Sequence, residues 1–245
     1  MKAIKKLILL ILLVCILLFL VQAKTASSSG FMQKAEDFFN KVTDFFTSSK
    51  GEGPLDVPLV MQYPELPRGC EVTSLAMVLQ YNGKDVDKMT LADQINKVPF
   101  EQSGLRGNMH EGFVGNMYTL DKSGLGVYVE PIIELAEKYV PKRKIVNLTA
   151  KDPEDLYHAV EKGHPVWVIT NARYKELTRD HFLTWNTDQG KMDVTYRQHS
   201  VVITNYDDEY VYVNDPLQKE KNRAINRQNF EAAWIQMGRQ AMYIK

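Results

Sequence analysis

Two β-branched runs lying close together constrain this chain more than any other stretch. His199–Tyr206 (HSVVITNY) and Tyr210–Asp215 (YVYVND) both read as strands, joined by Asp207-Asp208-Glu209. Val, Ile and Tyr suit a pleated, half-buried surface, and short acidic segments suit a turn, so the pair predicts an antiparallel hairpin. Pro165–Thr170, Phe182–Asn186 and Gln240–Ile244 add strands to the same half. Upstream the pattern is helical. A helix over Cys70–Tyr81 ends at Asn82-Gly83, with Val72, Leu75, Ala76 and Leu79 as its apolar face. Another begins near Thr90, which reads as its cap with Asp93 three residues on. Pro131 opens a short helix through Tyr139, and Asp152-Pro153 opens one closed by Gly163. Residues 101–130 are glycine-rich loop, Leu55–Tyr63 is a strand or extended piece, and a helix over Gln228–Met237 precedes the last strand. Helices first and strands later predict an α+β fold of two lobes with a cleft between them.

The N-terminus carries a different signal. Lys2, Lys5 and Lys6 precede an apolar run from Leu7 to Val21, followed by Val21-Gln22-Ala23. A basic start, an apolar stretch and a small-residue site make residues 1–23 a secretory signal peptide or a retained membrane anchor. The run is short for a full span, which needs ~20 residues. Both readings place the rest outside the cytoplasm, secreted or tethered to the outer face of the membrane. Residues 24–54 then form a spacer. Within it, 31–46 repeat Phe31, Ala35, Phe38, Val42 and Phe45 at helical spacing, an aromatic stripe that suits packing on the domain or lying against the membrane. The domain proper runs over 55–245.

Charge gives no argument for a nucleic-acid partner. Lys+Arg and Asp+Glu are both 30, so the formal net charge is zero and nothing in it points to nucleic acid. Of two cysteines, Cys15 lies in the leader, so the exported part holds Cys70 alone. A lone thiol in an exported chain is an intermolecular link, a reactive group or an inert buried residue. Cys70 follows Gly69 at a helix start, where unpaired N–H groups and the positive end of the helix dipole favour thiolate and lower the thiol pKa. A thiol nucleophile needs a base, and the chain has five histidines. His158 and His164 read as surface residues, whereas His110 and His181 sit in loops and stay open as candidate bases. His199 opens an apolar strand with Val201 and Ile203 on its face, held by rigid backbone. If the hairpin loop is Tyr206–Asp208, Asp215 lies directly opposite His199 and can orient it; one more loop residue moves the match to Pro216. Asp215 also suits a plain turn in Asn214-Asp215-Pro216. The Cys70 N–H and the side chain of Gln62, eight residues earlier, are candidate donors to an oxyanion. His199 falls 129 residues after Cys70, close to the ~130–150 of papain-like enzymes. The lone Cys and scattered His lack metal-ligand spacing, so no cofactor or metal is expected.

These residues carry a resemblance. QYPELPRGCEVTSLAMVLQY at Gln62–Tyr81 resembles the nucleophile motif of bacterial papain-like peptidases related to the double-glycine peptidases that process bacteriocin leaders. HSVVITNYDDEYVYVNDPL at His199–Leu217 resembles a second block of that family, and His110–Thr119, Gly126–Ile132 and Phe230–Ile244 resemble others. The resemblance covers 55–245. It implies a papain-like fold, with the Cys on a helical lobe and the His and Asp on an antiparallel sheet lobe. It also implies a Cys70 nucleophile, a His199 base, an Asp215 orienter and Gln62 at the oxyanion hole. The family's Gln lies nearer its Cys; here Pro64 and Pro67 stand between them. The implied activity is thiol-dependent hydrolysis of a peptide or protein substrate, and the chain is expected to act as a monomer. Acyl transfer on peptides and an inactive peptide-binding module are the rival readings.

Overall fold

A computed structural model describes residues 53–245. The expected leader (1–23) and aromatic helix (31–46) lie outside the described residues. No helix among the described residues is long and apolar enough to cross a membrane. In chain order come α1 (Cys70–Tyr81), α2 (Lys88–Gln94), and the short strands β1 (Lys97–Val98), β2 (Glu101–Gln102), β3 (Leu105–Arg106) and β4 (Phe113–Val114). Then follow α3 (Val129–Ala136), β5 (Ile145–Asn147), α4 (Pro153–Glu161), β6 (Val166–Asn171), β7 (Leu183–Thr187) and β8 (Gly190–Val194). The chain ends with β9 (Gln198–Tyr206), β10 (Tyr210–Asn214), β11 (Arg223–Asn226), α5 (Arg227–Gln236) and β12 (Ala241–Ile244).

Six of these strands form one sheet in the order β11-β10-β9-β6-β12-β5, antiparallel throughout. All six residues of β6 are buried. Trp167 and Ile169 join a core with α1, α2 and α3, whereas Val166 and Val168 join a second core with α4 and α5. A strand covered on both faces has no polar side to show, which is why it reads as an unbroken apolar run. The expected α+β architecture is present, with helices on both faces of the sheet.

The structure departs from the sequence reading at three elements. α1 is not one-sided: every residue from Cys70 to Leu79 is buried. Its polar positions are answered internally. Thr73 Oγ1 donates to the Gly69 carbonyl at 2.7 Å and Ser74 Oγ to the Ser200 carbonyl of β9 at 3.0 Å. Each fully buried Val, Leu or Met on this helix contributes roughly 1.5–3 kcal/mol. α2 starts earlier than expected because Asp87, not Thr90, caps it, its carboxylate accepting the Met89 and Thr90 N–H groups at 2.7 and 2.9 Å. A carboxylate also meets the helix dipole favourably there. The expected strand at Phe182–Asn186 is no departure: it forms as β7 and pairs with β8 in a hairpin of its own.

The third departure positions the site. Tyr206 pairs with Val211, so the β9–β10 turn is longer than the three residues expected; the Asp207 carboxylate closes it on the Glu209 and Tyr210 N–H groups, both at 2.7 Å. Register then shifts between Tyr212 and Val213, whose partners are Asn205 and Ile203, so Thr204 is an extra residue on β9. Its carbonyl accepts Leu55 N–H at 3.0 Å, from the extended entry segment. A one-residue shift moves a side chain to the other face of a sheet. Without the bulge Asp215 would run level with Val202, whose face is that of α1. With it, Asp215 runs level with Val201, two residues from His199 and on the same face.

Candidate active site

The turn into α1 requires a glycine, because a Cβ on Gly69 would stand 2.5 Å from the Leu66 Cβ. The first bond of the helix runs from Thr73 N–H to the Gly69 carbonyl at 3.0 Å. The N–H groups of Cys70, Glu71 and Val72 therefore precede the ladder, at its positive end. The Cys70 thiol is buried at 7% exposure. Its pKa nevertheless lies well above that of an ordinary thiol, against the sequence expectation. Burial is the largest cause, followed by the charge of Glu71 and the hydrogen bond to it; the Ser200 backbone pulls the other way. Sγ donates to Glu71 Oε2 at 3.2 Å. Among the described residues no hydrogen bond joins the thiol to His199. Desolvation and a neighbouring carboxylate thus outweigh the helix end.

His199 and Asp215 meet as their shared face requires. His199 Nε2 lies 2.7 Å from Asp215 Oδ1, and both residues are only 2% exposed. A carboxylate only accepts, so the imidazole proton sits on Nε2 and Nδ1 is left as the basic nitrogen. Asp215 Oδ1 also accepts Leu217 N–H at 2.9 Å, and Oδ2 accepts the Tyr174 hydroxyl at 2.6 Å. Burial alone raises the Asp215 pKa, but the His199 bond and charge, the Tyr174 hydroxyl and the Leu217 N–H together bring it below the usual carboxylate value. Arg223 Nη1, 3.5 Å from Oδ2, adds a cation at the rim.

Gln62 is buried at 3% exposure, on the loop that leads to Cys70. Its Nε2 donates to the carbonyls of Leu66 and Pro67 at 3.2 and 3.0 Å, and its Oε1 has no partner. In this conformation the amide shapes the turn before α1. Of the five histidines His199 alone is buried; His110 pairs with Glu130 at 3.0 Å on the surface, and His181 with Asp180 at 3.3 Å. Among the described residues no cluster of His, Cys, Asp and Glu is arranged to hold a metal ion.

Two residues at the site escape sequence reasoning. Glu71, one step from Cys70, is an acid of a helix first turn, a common surface position, yet it is 1% exposed. Tyr174 sits at φ 51°, in the left-handed region that non-glycine residues rarely adopt, within a turn where Asn171 Oδ1 accepts Arg173 N–H at 3.0 Å. That turn aims its hydroxyl at Asp215. Tyr174→Phe is expected to lower stability by about 1.5–3 kcal/mol at neutral pH, the range for a hydrogen bond to a charged group. A depressed carboxyl pKa contributes stability above the unfolded value, ~3.9, and loses it as pH falls through the folded value. Thermal melts should therefore separate the two proteins at pH ~7 and converge as pH falls through the lowered folded-state value.

A thiol at a helix start and a strand-borne His with a buried Asp partner, on an antiparallel sheet, define the papain-like peptidase fold. The chain belongs to the Peptidase_C39 like family, whose model matches residues 54–242. It is 49% identical over 211 residues to the uncharacterized protein YvpB of Bacillus subtilis (strain 168), covering 83% of this chain and 82% of that one. It is 51% identical to the crystal structure of an inferred C39-like peptidase from Bacillus anthracis, with a TM-score of 0.76, over 79% of this chain and 98% of that one. A double glycine motif protease from an AMS/PCAT transporter, solved with its leader peptide, matches at 19% identity and a TM-score of 0.43 over 79% and 93% of the two chains. A likeness that low speaks for neither activity nor substrate.

Proposed function

We propose that the protein hydrolyses peptide or amide bonds of peptides or proteins outside the cytoplasm, as a monomer held by or released from its N-terminal segment. The observation that carries this reading is the buried 2.7 Å bond between His199 and Asp215, on the strand that packs against the Cys70 helix. Cys70 Sγ gives its proton to His199 Nδ1 and attacks the carbonyl carbon. Asp215 stabilises the imidazolium. The developing oxyanion meets the Cys70 N–H and the Gln62 amide, which turns one hydrogen from the Pro67 carbonyl to do so. His199 then protonates the leaving amine, and water, deprotonated by the same His, releases the acyl group from sulfur. A positioned base is worth roughly 10²–10⁴-fold, and an oxyanion donor roughly 10²–10³-fold.

The test is a proteome-derived peptide library incubated with the protein, with and without a simple amine such as glycine amide. New free carboxyl ends in both conditions are the expected outcome. Products carrying the added amine in place of carboxylates would make the protein an acyl transferase. No new ends in either condition would leave a peptide-binding module.

A further inference from the structure

The Glu71 carboxyl divides its two oxygens between different tasks. Oε1 accepts Gln198 Nε2–H at 3.0 Å and Val127 N–H at 3.3 Å. Those two bonds tie α1 to β9 and to the 126–127 segment, and Trp167 Nε1 holds the Glu71 main-chain carbonyl at 3.0 Å. Gly126 lets this happen: a Cβ there would stand 2.5 Å from both Glu71 Oε1 and Gln198 Nε2. The anchoring is complete with one oxygen. Oε2 faces the sulfur of Cys70. A carboxyl needed only as a strut has no reason to aim its second oxygen at the nucleophile.

We propose that Glu71 restrains the nucleophile: its ionised carboxylate accepts the Cys70 S–H, keeps the thiol protonated, and holds it off His199 until the sulfur turns from Oε2. This deepens the hydrolase reading and rests on it. Three donors converge on the carboxyl, Gln198, Val127 and Cys70 itself, and a carboxylate at the first turn of a helix meets the positive end of its dipole. These favour the ionised form against the cost of burial, which pushes the Glu71 pKa up. Asp215, the hydrogen-bonded partner of His199, also acts on the thiol by its charge, and it too opposes thiolate. Activation then consists of one rotation and one proton transfer. The S–H bond breaks and a Nδ1–H bond forms on His199, giving a thiolate–imidazolium pair out of reach of Glu71.

Glu71→Gln separates restraint from scaffolding. The two N–H donors at Oε1 can pair only with an oxygen there, so the amide nitrogen must face the sulfur. The scaffold bonds are kept, and an acceptor that disfavours thiolate becomes a donor that favours it. The experiment uses the full chain with Cys15→Ser, which leaves Cys70 as the sole thiol, and follows alkylation by iodoacetamide with intact mass across a pH series. Glu71→Gln is expected to label at least tenfold faster than wild type at neutral pH, with its pH midpoint shifted down. Equal or slower labelling overturns the proposal. A second measurement does not depend on that variant folding. Infrared spectra of the Cys15→Ser protein at neutral pH should show one hydrogen-bonded S–H stretch, lost in Cys70→Ser; its absence from the Cys15→Ser protein overturns the proposal equally. His199→Ala in the same series keeps the two readings apart. If Glu71→Gln accelerates labelling but the protein cleaves no peptide and His199→Ala labels as wild type does, the hydrolase reading fails and the restraint of the thiol stands. If His199→Ala slows both and Glu71→Gln changes nothing, the restraint alone fails.

Discussion

Cys70→Ala is expected to abolish cleavage while the protein folds as before. No second thiol exists in the domain to replace it, and the only other cysteine of the chain is Cys15. Losing the nucleophile of a triad lowers turnover by roughly 10⁴–10⁶-fold, because the remaining members act as a unit and have nothing to activate. The structural cost is small. One buried sulfur is removed, and with it one of the three donors to the Glu71 carboxyl. Truncating a group this small and losing one hydrogen bond come to about 1–2 kcal/mol. A thermal melt within a few degrees of wild type, beside turnover at background, is the paired result. Turnover persisting above background in a well-folded Cys70→Ala protein would mean another nucleophile.

His199→Ala is expected to have the second largest effect, lowering turnover by roughly 10²–10⁴-fold. Without Nδ1 the thiol proton has no acceptor placed for catalysis, and the leaving amine has no donor. Asp215→Asn should be milder. An Asn side chain can point its oxygen at both donors that Oδ1 now serves, His199 Nε2–H and Leu217 N–H. Its amide nitrogen then faces Tyr174, whose hydroxyl rotates to accept. The imidazole keeps its tautomer and orientation and loses only the charge that steadies the imidazolium. The expected order is therefore wild type, then Asp215→Asn, then His199→Ala, measured as kcat/KM on one peptide. Equal losses in the two variants would mean that the charge of Asp215, and not its geometry, does most of the work.

Much of this site is written in local sequence. A lone thiol after Gly69 at the start of an apolar helix, and a His opening a β-branched strand with an Asp one hairpin away, are patterns of neighbours. Periodicity and turn chemistry therefore find them. What escaped depends on contacts between distant segments. The β9–β10 register turns on the Thr204 bulge, and the Thr204 carbonyl is held by Leu55, far back in the chain. No pattern inside the hairpin announces that contact. The same holds for α1, which reads as amphipathic until the sheet and α2–α3 enclose it from both sides. Strands β5 and β11 are three and four residues long and largely unburied, too short for a period to register. Glu71 looks like any first-turn acid, and its burial follows from Gly126 and Gln198, on other segments. The thiol pKa shows the same limit. The helix end that lowers it is visible in sequence, whereas the burial and the carboxylate that raise it belong to the folded chain.

In the proposed reaction Cys70 takes the acyl group of a peptide bond. The most direct measurement mixes the Cys15→Ser protein with the peptide library, quenches in acid within the first turnovers, and maps any adduct by mass spectrometry. A peptide acyl mass is expected on Cys70 as an alkali-labile thioester, absent in Cys70→Ala and strongly reduced in His199→Ala. Cleavage without an adduct in Cys70→Ala, or an acyl mass on any other residue, would contradict it.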